Sequence, residues 1–145
     1  MPSIFNQLDL VSRDMDKTLA FYRLLGVDIP DNAVWRTASG AHHVHLDMPG
    51  GATLGFNSVK LAPAFNRGFA NKGSGGNVVI GFSVEGRKHV DDIFARMTAA
   101  GHKALQPPFD AFWGARYAIV EDPDGNHVGI MSPVDAAMRS QGPDL

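Results

Sequence analysis

The order of one strand, one helix and three further strands occurs twice in the sequence, and this duplication limits the folds available to the chain. Each copy contains a stretch with apolar residues at helical spacing that ends at a glycine, Gly26 in the first copy and Gly101 in the second. These glycines lie 75 residues apart, and Gly55 and Gly129 on the last predicted strands lie 74 residues apart. Such regular spacing indicates two modules of the same topology.

The first copy starts with a strand signal over residues 4–11, where polar residues interrupt an apolar run. Asp14 is then placed to cap a helix that ends at Gly26. Turn-forming residues separate three short strands predicted over 34–37, 42–48 and 52–57. The second copy repeats the order, with a strand over 77–84, a helix through Val90 and Met97, and strands over 103–105, 115–120 and 127–131. Pro107 and Pro108 are expected to end the first of these three strands.

A four-stranded sheet covered by one helix leaves its second face open, and that face must pair with another element or bind something. The sequence therefore predicts an α+β fold of two βαβββ modules, with curved mixed sheets that enclose a cleft. The predicted division is a first module over 1–59, a connecting loop over 60–76, a second module over 77–132 and a C-terminal tail over 133–145. Together these segments are expected to form a single domain.

Composition and charge exclude several classes of function. The 13 basic and 15 acidic side chains give a formal net charge of −2, so the chain has no general attraction to nucleic acid or to an anionic membrane. The absence of cysteine excludes disulfides, thiolate metal sites and cysteine nucleophiles. No signal-peptide pattern is present and no apolar run approaches the length of about 18 residues that spans a membrane, so we expect a cytoplasmic protein.

Four motifs carry a resemblance to a known family. Residues 8–16 and 20–26 in the first module, and residues 113–116 and 122–126 in the second, resemble the vicinal oxygen chelate superfamily. This superfamily includes glyoxalase I, extradiol dioxygenases, and fosfomycin and bleomycin resistance proteins. The resemblance extends from about Phe5 to Ser132, and it implies the paired βαβββ fold and a homodimer.

The resemblance also implies four metal-ligand positions, one on the first and one on the last strand of each module. They correspond here to Gln7, Gly55, Val79 and Gly129. Only Gln7 has a side-chain donor, whereas a catalytic metal usually needs three protein ligands. The sequence is therefore most similar to the metal-free bleomycin resistance type, which sequesters drugs, and no cofactor is expected.

Two histidines leave two interpretations open. His43 and His45 are two residues apart in a predicted strand and therefore project to the same face, with Asp47 two residues further on. One interpretation is an unusual divalent-metal site formed by Gln7, His43 and His45. The favoured interpretation is a polar sheet face whose histidines lie at an interface or in the ligand cleft.

Aromatic residues near predicted loops supply the rest of the candidate site, because aromatic rings form good walls for a planar ligand. Polar anchors complete the predicted ligand-binding set, which consists of Gln7, Trp35, His43, His45, Asn57, Phe112, Trp113 and Arg116. The predicted function is binding and sequestration of a drug-like or aromatic molecule. The alternative is a glyoxalase-like lyase, isomerase or dioxygenase that uses the unusual metal site or metal-free acid–base chemistry.

Overall fold

The computed structural model describes residues 7–65 and 79–141. The chain divides into two compact units, one over residues 1–72 and the other over residues 73–145. Each unit contains one four-stranded mixed sheet. None of the helices in the described part of the chain is long and apolar enough to cross a membrane.

The first unit contains strand β1, helix α1, strands β2 to β4 and a short helix α2. Their bounds are Gln7–Ser12 (β1), Met15–Leu25 (α1), Trp35–Arg36 (β2), His42–Asp47 (β3), Thr53–Ser58 (β4) and Ala62–Phe65 (α2), with a 3-10 turn at Asp31–Ala33. The strand order is β1-β4-β3-β2. β1 runs parallel to β4, while the other neighbours are antiparallel.

Helix α1 forms where the capping residues and the apolar spacing agree. The Asp14 carboxylate accepts a hydrogen bond from the Lys17 amide at 3.1 Å, and Gly26 ends the helix with a φ of 118°. The buried face of the helix packs against the sheet, where the rings of Tyr22 and Phe56 lie 4.8 Å apart. The helix therefore covers one face of the sheet, while Asp9 and His45 lie on the opposite face.

The second unit repeats this arrangement with β5 to β8 and helix α3. The bounds are Val79–Ser83 (β5), Arg87–Ala99 (α3), Ala104–Asp110 (β6), Arg116–Glu121 (β7) and His127–Met131 (β8), with a 3-10 turn at Ala136–Met138. The strand order is β5-β8-β7-β6, and β5 runs parallel to β8. Both units thus have the predicted βαβββ order, which confirms the α+β fold of two mixed-sheet modules.

The structure differs from the prediction at Pro107 and Pro108, which lie inside β6 and do not end it. Two physical features allow this. β6 is the outer strand of its sheet, and its register with β7 shifts on either side of Gln106, so missing backbone donors at the prolines do not interrupt a regular ladder.

The segment over 60–76, predicted as a connecting loop, begins with helix α2 at Ala62–Phe65. Its remaining residues, 66–76, lie outside the described residues. The enclosing cleft stays a prediction.

Candidate functional site

A row of three residues crosses the first sheet on the face away from α1. Gly55 on the central strand β4 pairs with Asp9 on β1 and with His45 on β3. Because Gly55 has no side chain, the side chains of Asp9 and His45 meet above it, with His45 Nε2 3.2 Å from Asp9 Oδ1. A β-carbon on Gly55 would come within 1.9 Å of Asp9 Oδ1 and 2.7 Å of the His45 ring. The glycine is therefore required for this contact.

Asp9 is the centre of a hydrogen-bonded cluster. Its Oδ2 atom accepts a hydrogen bond from Gln7 Nε2 at 3.0 Å. Its Oδ1 atom lies between His45 Nε2 and, at a longer 3.5 Å, Asn57 Nδ2. The side chains of Asp9 and His45 are 27% and 43% exposed, so solvent and a ligand can both reach them. A single carboxylate thus orients one histidine and two amides.

A second histidine joins the cluster through Asn57. His43 Nδ1 lies 2.5 Å from Asn57 Oδ1, and the rings of His43 and His45 have centroids 5.0 Å apart. Asn57 is 3% exposed, so its amide is held by the surrounding sheet. We refer to Gln7, Asp9, His43, His45 and Asn57 as the polar cluster.

The polar cluster forms one wall of a cavity of about 700 Å³. The described residues that line it are Gln7, Asp9, Trp35, His43, His45, Asn57 and Leu61. Trp35 is 53% exposed and Leu61 adds apolar surface. The structure therefore brings together five of the eight predicted ligand-binding residues, namely Gln7, Trp35, His43, His45 and Asn57.

Sequence reasoning missed Asp9 and Leu61 as site residues. Asp9 alternates with apolar Leu8 and Leu10 along β1, which places it on the same face as Gln7. That alternation was the available signal. Asp47, two residues beyond His45, is exposed and does not line the cavity.

The other three predicted residues lie in the second unit, around the turn between β6 and β7. Phe112 is 42% exposed, and the Trp113 ring packs edge-on against Phe112, Phe109 and Tyr117. Their role in ligand binding stays a prediction.

Arg116 is engaged by acidic side chains. It donates to Asp91 at 2.8 Å and to Asp110 at 3.2 Å. The hydrogen bond with Asp91 raises the pKa of Arg116 above its ordinary value. Because both carboxylates already bind the guanidinium, Arg116 is less available to a ligand than the sequence suggested.

The four positions that correspond to metal ligands do not form a donor set. Gly55 lies beneath the Asp9–His45 contact, Gly129 lies beneath the Tyr117 ring, and Val79 offers no donor atom. Within residues 7–65 and 79–141, no group of three or more His, Cys, Asp or Glu side chains is arranged to hold a metal ion. The residues present do not fit a metal at the four positions.

The family model of the Glyoxalase/Bleomycin resistance protein/Dioxygenase superfamily matches residues 4–130. None of the curated proteins that were compared matches the sequence.

Solved structures with similar folds come from several bacteria. A glyoxalase-related enzyme from Fulvimarina pelagi has a TM-score of 0.73 and 21% identity, with 91% of this chain and 89% of that chain covered. A glyoxalase/bleomycin resistance protein/dioxygenase family enzyme from Burkholderia phytofirmans has a TM-score of 0.64 and 19% identity, with 88% of this chain and 96% of that chain covered. Lactoylglutathione lyase from Agrobacterium tumefaciens has a TM-score of 0.60 and 21% identity, with 90% of this chain and 94% of that chain covered. At these identities the likeness establishes the fold alone.

Proposed function

Because the chain belongs to the glyoxalase/bleomycin resistance protein/dioxygenase superfamily, we propose that it binds and sequesters a small aromatic or amphipathic molecule without a metal. The observation that carries this proposal is the first-unit cavity, which combines an exposed tryptophan, an apolar side chain and a polar cluster. This combination of apolar wall and a few convergent polar groups is typical of small-molecule sites. Its volume of about 700 Å³ suits a drug-sized ligand.

Affinity would come mainly from apolar burial. An aromatic side chain offers about 150–250 Å² of contact surface. Covering about half of the Trp35 ring would contribute on the order of 2 kcal/mol, at about 25 cal/mol per Å². The same surface on the ligand contributes a similar amount, and the polar cluster fixes the orientation. Binding of this kind needs no nucleophile and no metal.

The donor chemistry supports a metal-free site. Gly55 and Gly129 have no side-chain donor, and a larger residue at either position would collide with a neighbouring side chain. The residues at these positions therefore do not fit the metal that the superfamily uses.

Tryptophan fluorescence tests the binding proposal directly, because the chain contains only two tryptophans. Trp113→Phe leaves Trp35 as the only reporter, and Trp35→Phe leaves Trp113. In a screen of aromatic compounds, saturable quenching is expected with the Trp113→Phe variant and weaker or no quenching with Trp35→Phe. If no compound changes the fluorescence of either variant, the proposed function is wrong.

Metal addition tests the alternative enzyme hypothesis. Protein purified without chelator would be assayed for metal content, then for thermal stability with zinc, nickel, manganese and iron(II) in turn. We expect no stoichiometric metal and no shift. Stoichiometric binding that His43→Ala or His45→Ala abolishes would instead support the metal set of Gln7, His43 and His45, and lyase, isomerase or dioxygenase substrates would then be tested.

We further propose that the protein forms a homodimer, as the resemblance implies, and that it is cytoplasmic, as expected from the sequence. Light scattering coupled to size-exclusion chromatography would measure the mass in solution against the 15.6 kDa of one chain. A mass equal to a single chain would contradict the dimer.

A further inference from the structure

Hydrogen bonding within the polar cluster determines which ring nitrogens the cavity can offer to a ligand. Asp9 is an acceptor when ionised, so the hydrogen in its contact with His45 lies on His45 Nε2. The Nδ1 atom of neutral His45 then carries a lone pair and accepts hydrogen bonds. One carboxylate thereby fixes the tautomer of this imidazole.

Asn57 fixes the tautomer of His43 in a similar way. The amide nitrogen of Asn57 faces the Asp9 carboxylate, which places the carbonyl oxygen Oδ1 against His43 Nδ1. That oxygen has no hydrogen, so His43 Nδ1 is the donor and the Nε2 atom of neutral His43 is an acceptor. Both imidazoles have therefore used their donor within the cluster.

The charge of the residues that line the cavity also favours a ligand that donates hydrogen bonds. With neutral histidines, Asp9 is the only charged side chain among the lining residues that the structure describes, and none of those residues is Lys or Arg. Gln7 and Asn57 each keep one further amide hydrogen, so the cluster can still donate, but its net charge is negative. Trp35 adds an aromatic face, which attracts a cation within about 6 Å.

We propose that the cavity selects a protonated amine attached to an aromatic or apolar group. This inference rests on the proposed binding function and adds the chemical class of the ligand. The ammonium group would donate to the Asp9 carboxylate, while the apolar group covers Trp35 and Leu61. An anionic ligand would face the Asp9 carboxylate and two acceptor nitrogens, which disfavours it.

Three probes of similar size test the proposal by isothermal titration calorimetry at pH 8, namely 2-phenylethylammonium, 2-phenylethanol and 3-phenylpropanoate. The ammonium probe is expected to bind most tightly and the carboxylate most weakly. Since a hydrogen bond to a charged group contributes more than a neutral one, the ammonium should exceed the alcohol by about tenfold.

Asp9→Asn keeps the size of the side chain and removes its charge, so the advantage of the ammonium over the alcohol should disappear. Asp47→Asn is the matched control, because Asp47 is an exposed carboxylate outside the cavity lining. This control should keep the preference of the native protein.

The outcomes separate the two proposals. If the fluorescence screen finds ligands but the carboxylate probe binds at least as tightly as the ammonium, or Asp9→Asn keeps the preference, the amine inference is wrong and the binding function stands. If the screen finds no ligand and no probe binds, both are wrong. The order of the three probes on the native protein decides the inference even if Asp9→Asn fails to fold.

Discussion

The two sheets have equivalent strand orders, and each has a glycine at the corresponding position of its last strand. Different side chains cover the two glycines. Above Gly55 in the first sheet, Asp9 and His45 meet in a hydrogen bond. Above Gly129 in the second sheet lies the Tyr117 ring, whose hydroxyl would be 2.7 Å from an added β-carbon. One backbone arrangement thus creates space that serves a polar cluster in one unit and an aromatic ring in the other.

The neighbouring rows extend this contrast. In the first sheet His43 pairs with Trp35 on the outer strand, and in the second Tyr117 pairs with Phe109. The second-sheet aromatics pack on one another, with Tyr117 centroids 5.4 Å from Trp113 and 6.2 Å from Phe109. Burial accordingly raises the pKa of Tyr117. The first sheet offers polar atoms to a ligand, whereas the aromatic rings of the second sheet pack against one another.

Truncation of a buried side chain on the helix-facing side should destabilise both units to a similar extent. This loss of stability is the largest effect we expect. Phe56 and Ile130 each directly follow the glycine of their sheet and are fully buried. Phe56→Ala should lower the free energy of unfolding by about 3–5 kcal/mol and Ile130→Ala by about 2–5 kcal/mol, through lost burial and cavity formation. Urea denaturation measures both. A loss below about 1 kcal/mol in either variant would show that the two cores are not equivalent.

Substitution of the glycines Gly55 and Gly129 should have different effects in the two sheets. Gly129→Ala pushes against a ring held among other aromatics and should cost about 1–3 kcal/mol of stability through overpacking. Gly55→Ala meets the ends of the Asp9 and His45 side chains, which are partly exposed and can move away, so its stability cost should be smaller. It should nevertheless break the contact between Asp9 and His45 and abolish the preference for the ammonium probe, which Gly129→Ala should keep. The contrast fails if Gly129→Ala alone alters probe selection.

Two tryptophan variants test which unit binds the ligand. Trp35→Ala should weaken a ligand found in the screen by about tenfold, because it removes the aromatic wall of the cavity. Trp113→Ala should weaken it less, since the Trp113 ring already contacts three other aromatics. Calorimetric titration of both variants gives the comparison, and a larger loss in Trp113→Ala would shift the site to the second unit.

The smallest effect concerns an exposed carboxylate of the second sheet. The hydrogen bond from Arg87, with a further one from Arg116, lowers the pKa of Asp110 below its ordinary value of 3.8. Its folded pKa is below the unfolded one, so its stabilising effect exists at neutral pH and disappears as the pH falls through the folded pKa. Asp110→Asn should therefore lower the urea midpoint slightly at pH 7 and not at strongly acidic pH.

Asp47→Asn on the first sheet is the control for this measurement, because Asp47 forms no ion pair with any residue in the ranges 7–65 and 79–141. Its midpoint should stay unchanged at both pH values. A midpoint for Asp110→Asn equal to that of native protein at pH 7 would mean that solvent screens these ion pairs completely.

Local signals in the sequence were sufficient for most of the fold. The cap at Asp14, the glycine at Gly26 and the alternation along the strands depend on neighbours within a few residues, so they can be read without knowing the tertiary structure. The two-residue spacing of His43 and His45 likewise placed both on one face. Pro107 and Pro108 were misjudged because tolerance of proline depends on whether a strand is at the edge of its sheet.

The sequence by itself determined the two βαβββ modules, the missing donors at Gly55, Val79 and Gly129, and five residues that line the cavity. Only the tertiary structure decided that Asp9 contacts His45, since these residues are 36 positions apart and lie on strands separated by β4. It also decided that Arg116 is held by Asp91 and Asp110. The physical reason is that strand register, which places distant side chains opposite one another, depends on packing and pairing across the whole sheet.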